Sequence, residues 1–159
     1  MAHAEQTAEE FATEMEGLAS DFRRSVPGAL RACEQLVEED VMEHFARQES
    51  PDGDPWPARK GEGDGHPLLV ETNTQGAGSL LAAATGQGGG HVSRIEDDDT
   101  LVYGVDKDGG IGGIPGAGVH NYGFPSRNIA QREFLGLDDQ AAEGVGVVIA
   151  DNLAEALEL

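Results

Sequence analysis

Apolar residues recur every three or four positions through the first part of the chain. Phe11, Met15, Leu18 and Phe22 share one side of a segment spanning residues 5 to 24, with glutamates on the others, which predicts an amphipathic helix. Ser25-Val26-Pro27 interrupts the pattern, because proline restricts the residue before it and suits the first turn of a new helix. A second helix is expected from Gly28 to about Gln48. Leu30, Cys33, Val37, Val41 and Phe45 trace its apolar face, and Glu34, Glu38, Glu39 and Glu43 its wet one.

Periodicity stops between Ser50 and Gly65, where prolines and glycines surround Trp56, so a loop pinned by its indole is expected. Leu80 to Ala84 predicts a short helix after the Gly76-Ala77-Gly78-Ser79 turn. His91 to Glu96 alternates, Asp97-Asp98-Asp99 reads as a turn, and Thr100 to Val105 follows, which together predict a hairpin. Val119 to Tyr122 is short enough for a third strand. Asp138 and Asp139 stand where a carboxylate accepts from free backbone N–H groups at a helix head. Ala141, Val145, Val148, Ile149, Leu153, Ala156 and Leu157 carry that last helix to the C-terminus, over the sheet.

The expected fold class is therefore α+β: two N-terminal helices, a small, mainly antiparallel β-sheet, and a C-terminal helix packed on the sheet. One domain is expected over 1–159, with the N-terminal helices in 1–49 and the Trp/Pro/Gly loop in 50–67. The sheet region with glycine-rich loops takes 68–136 and the C-terminal helix 137–159. Of 23 glycines, 17 fall between residues 61 and 123, so this part carries loops that a partner could order.

Composition changes this picture in one respect. The net charge of -20 is spread along the chain, at -8 for residues 1–50, -7 for 51–110 and -5 for 111–159, and lysine is reduced to Lys60 and Lys107 against eight arginines. Even acidity with little lysine points to adaptation to high salt, where repulsion between carboxylates is screened within about 3 Å at 1 M. The competing reading is a DNA mimic, which would line its charge along one stripe. Duplex binding through a basic face is not expected. No apolar run approaches the roughly 20 residues of a membrane span, and the chain opens with Glu5, Glu9 and Glu10, so neither a membrane protein nor a secreted precursor is expected.

Candidate chemistry is sparse. Gly109 to Gly118 lacks the Lys-Ser/Thr of a phosphate loop. Asp97-Asp98-Asp99 has the composition of a cation site without the ligand spacing of a calcium loop, and reads as a carboxylate-rich turn with loosely held counterions. Among His3, His44, His66, His91 and His120 no pair has the i, i+4 spacing of a zinc helix, and Cys33 alone cannot complete a structural zinc site, so no metal, cofactor or catalytic residue is expected. Cys33 reads as a small buried hydrophobe. Ser79 and Ser126 lie outside any Gly-x-Ser-x-Gly elbow. His120 would need an orienting carboxylate to act as a base. Its other reading is structural, with the ring donating to a loop carbonyl and fixing the turn from Asn121 to Gly123.

Several segments occur in a recognisable order. They are Pro55-Trp56-Pro57 with Lys60, Leu68-Leu69-Val70-Glu71-Thr72, Leu80, Val102-Tyr103-Gly104-Val105, His120-Asn121-Tyr122-Gly123 and Arg132-Glu133-Phe134-Leu135-Gly136-Leu137. Over roughly residues 40 to 157 the chain resembles the phage virion morphogenesis family, the tail completion proteins of Mu-like tailed viruses. It departs from the family where Thr-Gly-x-Leu becomes Thr72-Asn73-Thr74-Gln75 with Leu80 displaced, and in the glycine-rich link between Val105 and Val119.

The resemblance implies a non-enzymatic structural protein of the virion, assembled in the host cytoplasm. It would be a tail completion, tail terminator or neck protein, forming a homo-oligomeric ring, often of six copies, at the head–tail junction. Its partners would be the tail tube protein and head–tail connector or adaptor proteins, with DNA passing the lumen without specific contacts. With the acidity, it suggests a virus of a halophilic archaeon. The alternatives are a head–tail connector of stopper or adaptor type and, from another class, a small acidic hydrolase. The residues taken as structural or interface motif are Trp56, Lys60, Leu69, Thr72, His120, Tyr122, Gly123, Arg132, Phe134 and Leu135, with Arg132 and Phe134 also expected at a partner contact because arginine and aromatic residues favour interface centres.

Overall fold

The structure, a computed structural model, describes residues 7–58, 68–69, 80–106 and 116–157. Lys60 and Thr72 of the expected motif lie outside the described residues, as does most of the glycine-rich link. The class is α+β, with four α-helices and a two-stranded antiparallel sheet among the described residues. The helices are α1 (Ala8–Arg47), α2 (Leu80–Ala84), α3 (Gly116–Tyr122) and α4 (Asp139–Ala156), and the strands are β1 (His91–Glu96) and β2 (Thr100–Val105).

One helix stands where two were expected. Helix α1 begins with a capping box, in which the Thr7 hydroxyl accepts from Glu10 N–H and the Glu10 carboxylate accepts from Thr7 N–H. It then runs for 40 residues, about 60 Å, straight through Pro27. Proline removes one backbone donor inside the helix, and one turn earlier the Ser25 hydroxyl donates to the Phe22 carbonyl at 2.8 Å. Beyond Pro27 the buried positions Ala29, Cys33, Val41 and Phe45 anchor the helix, so tertiary packing outweighs the local break.

The hairpin agrees with the alternation in the sequence. Strand β1 pairs with β2 from His91↔Val105 to Glu96↔Thr100. Asp97 and Asp98 both adopt positive φ, of 52° and 64°, as the primed turns of tight hairpins require. Aspartate tolerates that region better than most residues.

The segment Val119–Tyr122 forms the end of α3 and is not a strand. Its neighbours explain why: Ala117 and Asn121 are buried one helical turn apart while Val119 between them, which a strand would turn to the same face, is only partly buried. Helix α4 is placed differently from expectation as well. It packs on α1 rather than over the sheet, while the hairpin rests on α1 and α2. Gly144 permits this approach, since a Cβ there would already lie 3.5 Å from Leu36 Cδ1. Among the described residues no helix is long and apolar enough to cross a membrane.

The core gathers Val41 and Phe45 of α1, Trp56, Leu80 and Ala84 of α2, Ala117 of α3, and Phe134. Tyr103 on β2 closes one side, donating its hydroxyl to the Ala84 carbonyl at 2.6 Å. Burial, helped by Glu38 and Glu34 on α1, pushes its phenol up to about 12. Because the folded value is raised, this hydrogen bond is fully present below the free phenol's value near 10 and is lost as pH rises through about 12. Phenolate difference absorbance in a Tyr122→Phe background is expected to show Tyr103 still protonated at pH 11. A midpoint near 10 would contradict the buried, bonded phenol.

Candidate functional site

Among the described residues, the segments singled out from the sequence meet at Phe134. This side chain is 0% exposed and packs on Phe45, with ring centroids 5.2 Å apart; Phe45 in turn meets Trp56 edge-on at 5.4 Å. The Trp56 indole N–H donates to the Glu133 carbonyl at 2.9 Å, so the Trp/Pro loop is tied to the strap at 132–137 as well as to the core. Arg132 is interior too. Its Nε donates to the Pro57 carbonyl at 3.0 Å and its backbone N–H to the His120 carbonyl at 2.7 Å. Leu69 and Leu135 pack against the same core from their own segments.

Asn121 holds the strap in register. Its Oδ1 accepts from both Phe134 N–H, at 2.9 Å, and Leu135 N–H, at 3.0 Å. Gly123 is required for the adjoining turn: its φ is 74°, and a Cβ there would stand 2.9 Å from Gln131 N. Gly136 has an equally local reason, since a Cβ would meet Pro51 Cγ at 2.7 Å.

These positions correct two expectations. Phe134 and Arg132 lie inside the subunit, so neither offers a surface to a partner. Among the described motif residues, Tyr122 faces outward, at 74% exposure. His120 does not fix the turn through its ring, because its buried Nδ1 finds no hydrogen-bond partner among the described residues. Burial and, secondarily, the Arg132 guanidinium lower its pKa, which favours a neutral ring. Asn121 instead ties this segment to the strap, through its Oδ1. Cys33 is buried, and burial pushes its thiol up, as suits an unreactive core residue.

A second cluster abuts this knot and has no counterpart in the expectations from sequence. Asp40 and His44 lie one turn apart on α1, both buried, and Asp138 caps α4 beside them. His44 Nδ1 is 3.3 Å from the Phe134 carbonyl. A carbonyl can only accept, so Nδ1 carries the proton and donates. Asp40 Oδ2 accepts from Asp138 N–H at 3.3 Å, and Asp138 Oδ1 accepts from Ala141 N–H at 2.8 Å. Burial raises the Asp40 pKa, with His44 opposing. The signal was present in part, as Asp40-x-x-x-His44 has helical i, i+4 spacing; the third member lies 94 residues beyond His44 in the chain and becomes visible only in the fold. Compared with protein-family models, curated proteins and solved structures, the chain matches none.

Proposed function

We propose that this chain is a structural virion protein of a tailed virus, a tail completion, terminator or neck protein that works as a ring of identical copies at the head–tail junction. The observation that carries this reading is the projecting half of α1. Every residue from 8 to 24 is exposed save Leu18, which is partly buried, and Phe11, Met15 and Phe22 stand on one side at 55, 47 and 39% exposure. An apolar stripe about 17 Å long with no cover among the described residues of its own subunit calls for another chain.

A second copy supplies the cover. Helix α4 has no fully buried residue and leaves Val147 and Ile149 exposed. It runs antiparallel to α1 from Asp138 beside Asp40, with Gly144 over Leu36, so its outer face and the projecting stripe lie at different places on one molecule. Joining such unlike surfaces from copy to copy is a heterologous contact, which closes into a ring when the rotation permits. An acidic wall also suits a channel for DNA, because it repels phosphate and makes no sequence-specific contacts. In this reading the chain performs no catalysis, and its neighbours are the tail tube and the connector proteins.

Salt dependence is built into the proposal. Copies carrying -20 each repel in dilute buffer, and about 1 M salt screens that repulsion. Sedimentation at that salt is expected to show a closed oligomer. Phe11→Asp combined with Met15→Asp is expected to give monomers with unchanged circular dichroism of the domain. A wild-type monomer at high salt, together with absence of the chain from virions by mass spectrometry, would overturn the reading. The position of the ring in a particle map separates a tail terminator from a stopper or adaptor.

A further inference from the structure

From the donor set at the junction of α1 and α4 we infer that Asp40, His44 and Asp138 form a binding site for one divalent transition cation of the Zn2+ class, which pins the head of α4 to the end of α1. Three potential ligand atoms, one from each residue, lie within 4.8 Å of one another. A metal held at about 2.1 Å by each would bring them to about 3.5 Å, so a contraction of about an ångström completes the set.

The second observation is His44 itself. Its side chain is 2% exposed, and its Nε2 has no hydrogen-bond partner among the described residues although it points at Asp40 Oδ1, 3.5 Å away. With Nδ1–H donated to the Phe134 carbonyl, Nε2 is the ring nitrogen left to ligate, and it faces the Asp40 carboxylate oxygen across 3.5 Å, the side on which a cation would sit. A histidine oriented through its other nitrogen by a backbone carbonyl is the arrangement that metal-ligating imidazoles usually show.

The remaining ligands suit such an ion. One imidazole and two carboxylates favour Zn2+ or Mn2+ over Mg2+, which prefers oxygen ligands and keeps its waters. A cleft of about 400 Å³ lined by His44, Asp138, Pro51, Asp52 and Asp139 gives the ion a route in and leaves room for water on the open side. Asp138 can ligate and cap together, because one oxygen accepts from Ala141 N–H and a carboxylate has a second oxygen to offer. The site belongs to a single subunit and stands independently of any ring.

Titrating the chelator-stripped full chain with ZnCl2, MnCl2 and MgCl2 in about 1 M KCl, which suppresses diffuse binding to surface carboxylates, tests this. One saturable equivalent of Zn2+ or Mn2+ per chain is expected, with Mg2+ at least tenfold weaker. At a hundredfold excess over Kd the melting temperature is expected to rise by about 5–10 °C. Asp138→Asn keeps an equally good cap, so its metal-free melting temperature should hold while Zn2+ affinity falls at least tenfold. Asp97→Asn on the hairpin turn should leave that affinity unchanged. Histidine 15N resonances should place the Zn2+-induced shift on Nε2 of His44. Absence of a saturable equivalent, equal binding of Mg2+ and Zn2+, or undiminished Zn2+ affinity in Asp138→Asn would each overturn the proposal.

Discussion

Phe134→Ala is expected to lower unfolding stability by about 3–5 kcal/mol, the cost of removing a fully buried phenylalanine and leaving its cavity. Phe134 is 0% exposed and touches Phe45 of α1 directly, while Trp56 reaches the same strap through the Glu133 carbonyl. The surroundings have little freedom to collapse into the void. The strap backbone is held from two sides, by Asn121 at the Phe134 N–H and by His44 at its carbonyl. Since domains of this size have only about 5–15 kcal/mol in total, the variant should be close to unfolding at 37 °C. Urea unfolding followed by circular dichroism, with salt held near 1 M, reads this as a fall in midpoint at unchanged slope. Phe134→Leu, which keeps most of the volume, should cost about 1–1.5 kcal/mol. A loss below about 1 kcal/mol for the alanine variant would mean that the knot of motif segments is not the core of the domain.

The knot also shows which features the sequence made legible. The hairpin could be placed residue by residue because alternation over His91–Glu96 and Thr100–Val105 and three consecutive aspartates are local signals of strand and turn. The helical face from Leu30 to Phe45, the Asp138 cap and the pinning of Trp56 were legible for the same reason: each follows from spacing or local chemistry. Pro27 was misleading, since its local cost of about 3 kcal/mol is outweighed by packing of the helix that follows. Val119–Tyr122 misled in the opposite sense. A β-branched residue in a short apolar run suggests a strand, whereas burial of Ala117 and Asn121, with Val119 between them only partly buried, decides the outcome.

The location of α4 had no local signal at all. Its apolar positions announce a helix with a face to bury, but whether that face meets the sheet or α1 depends on Gly144 fitting over Leu36 and on Asp138 reaching Asp40. The first helical face was read correctly as a pattern, and among the described residues nothing buries it: Phe11, Met15 and Phe22 remain exposed. Periodicity reports that a face needs burying, and it is silent on whether the cover is intramolecular.

Asn121→Ala is expected to cost about 2–4 kcal/mol, more than an ordinary polar truncation, because one side chain serves two donors. Its Oδ1 is the acceptor for both Phe134 N–H and Leu135 N–H, and Asn121 itself is buried. Removing the oxygen leaves the two amides without that partner where water has little access, and each buried unsatisfied group costs about 1–3 kcal/mol. The effect should be local before it is global. Hydrogen exchange at Phe134 and Leu135 is expected to accelerate by orders of magnitude, while amides of the β1–β2 hairpin slow or quicken only with overall stability. Trp56 provides a second readout, since its indole donates to the neighbouring Glu133 carbonyl and its fluorescence should shift as the strap loosens. Strap amides that stay protected in Asn121→Ala would mean that Arg132, bonded to Pro57 and His120, holds the segment without help. Loss of protection confined to the strap would instead identify Asn121 as the tie that sets its register against α3.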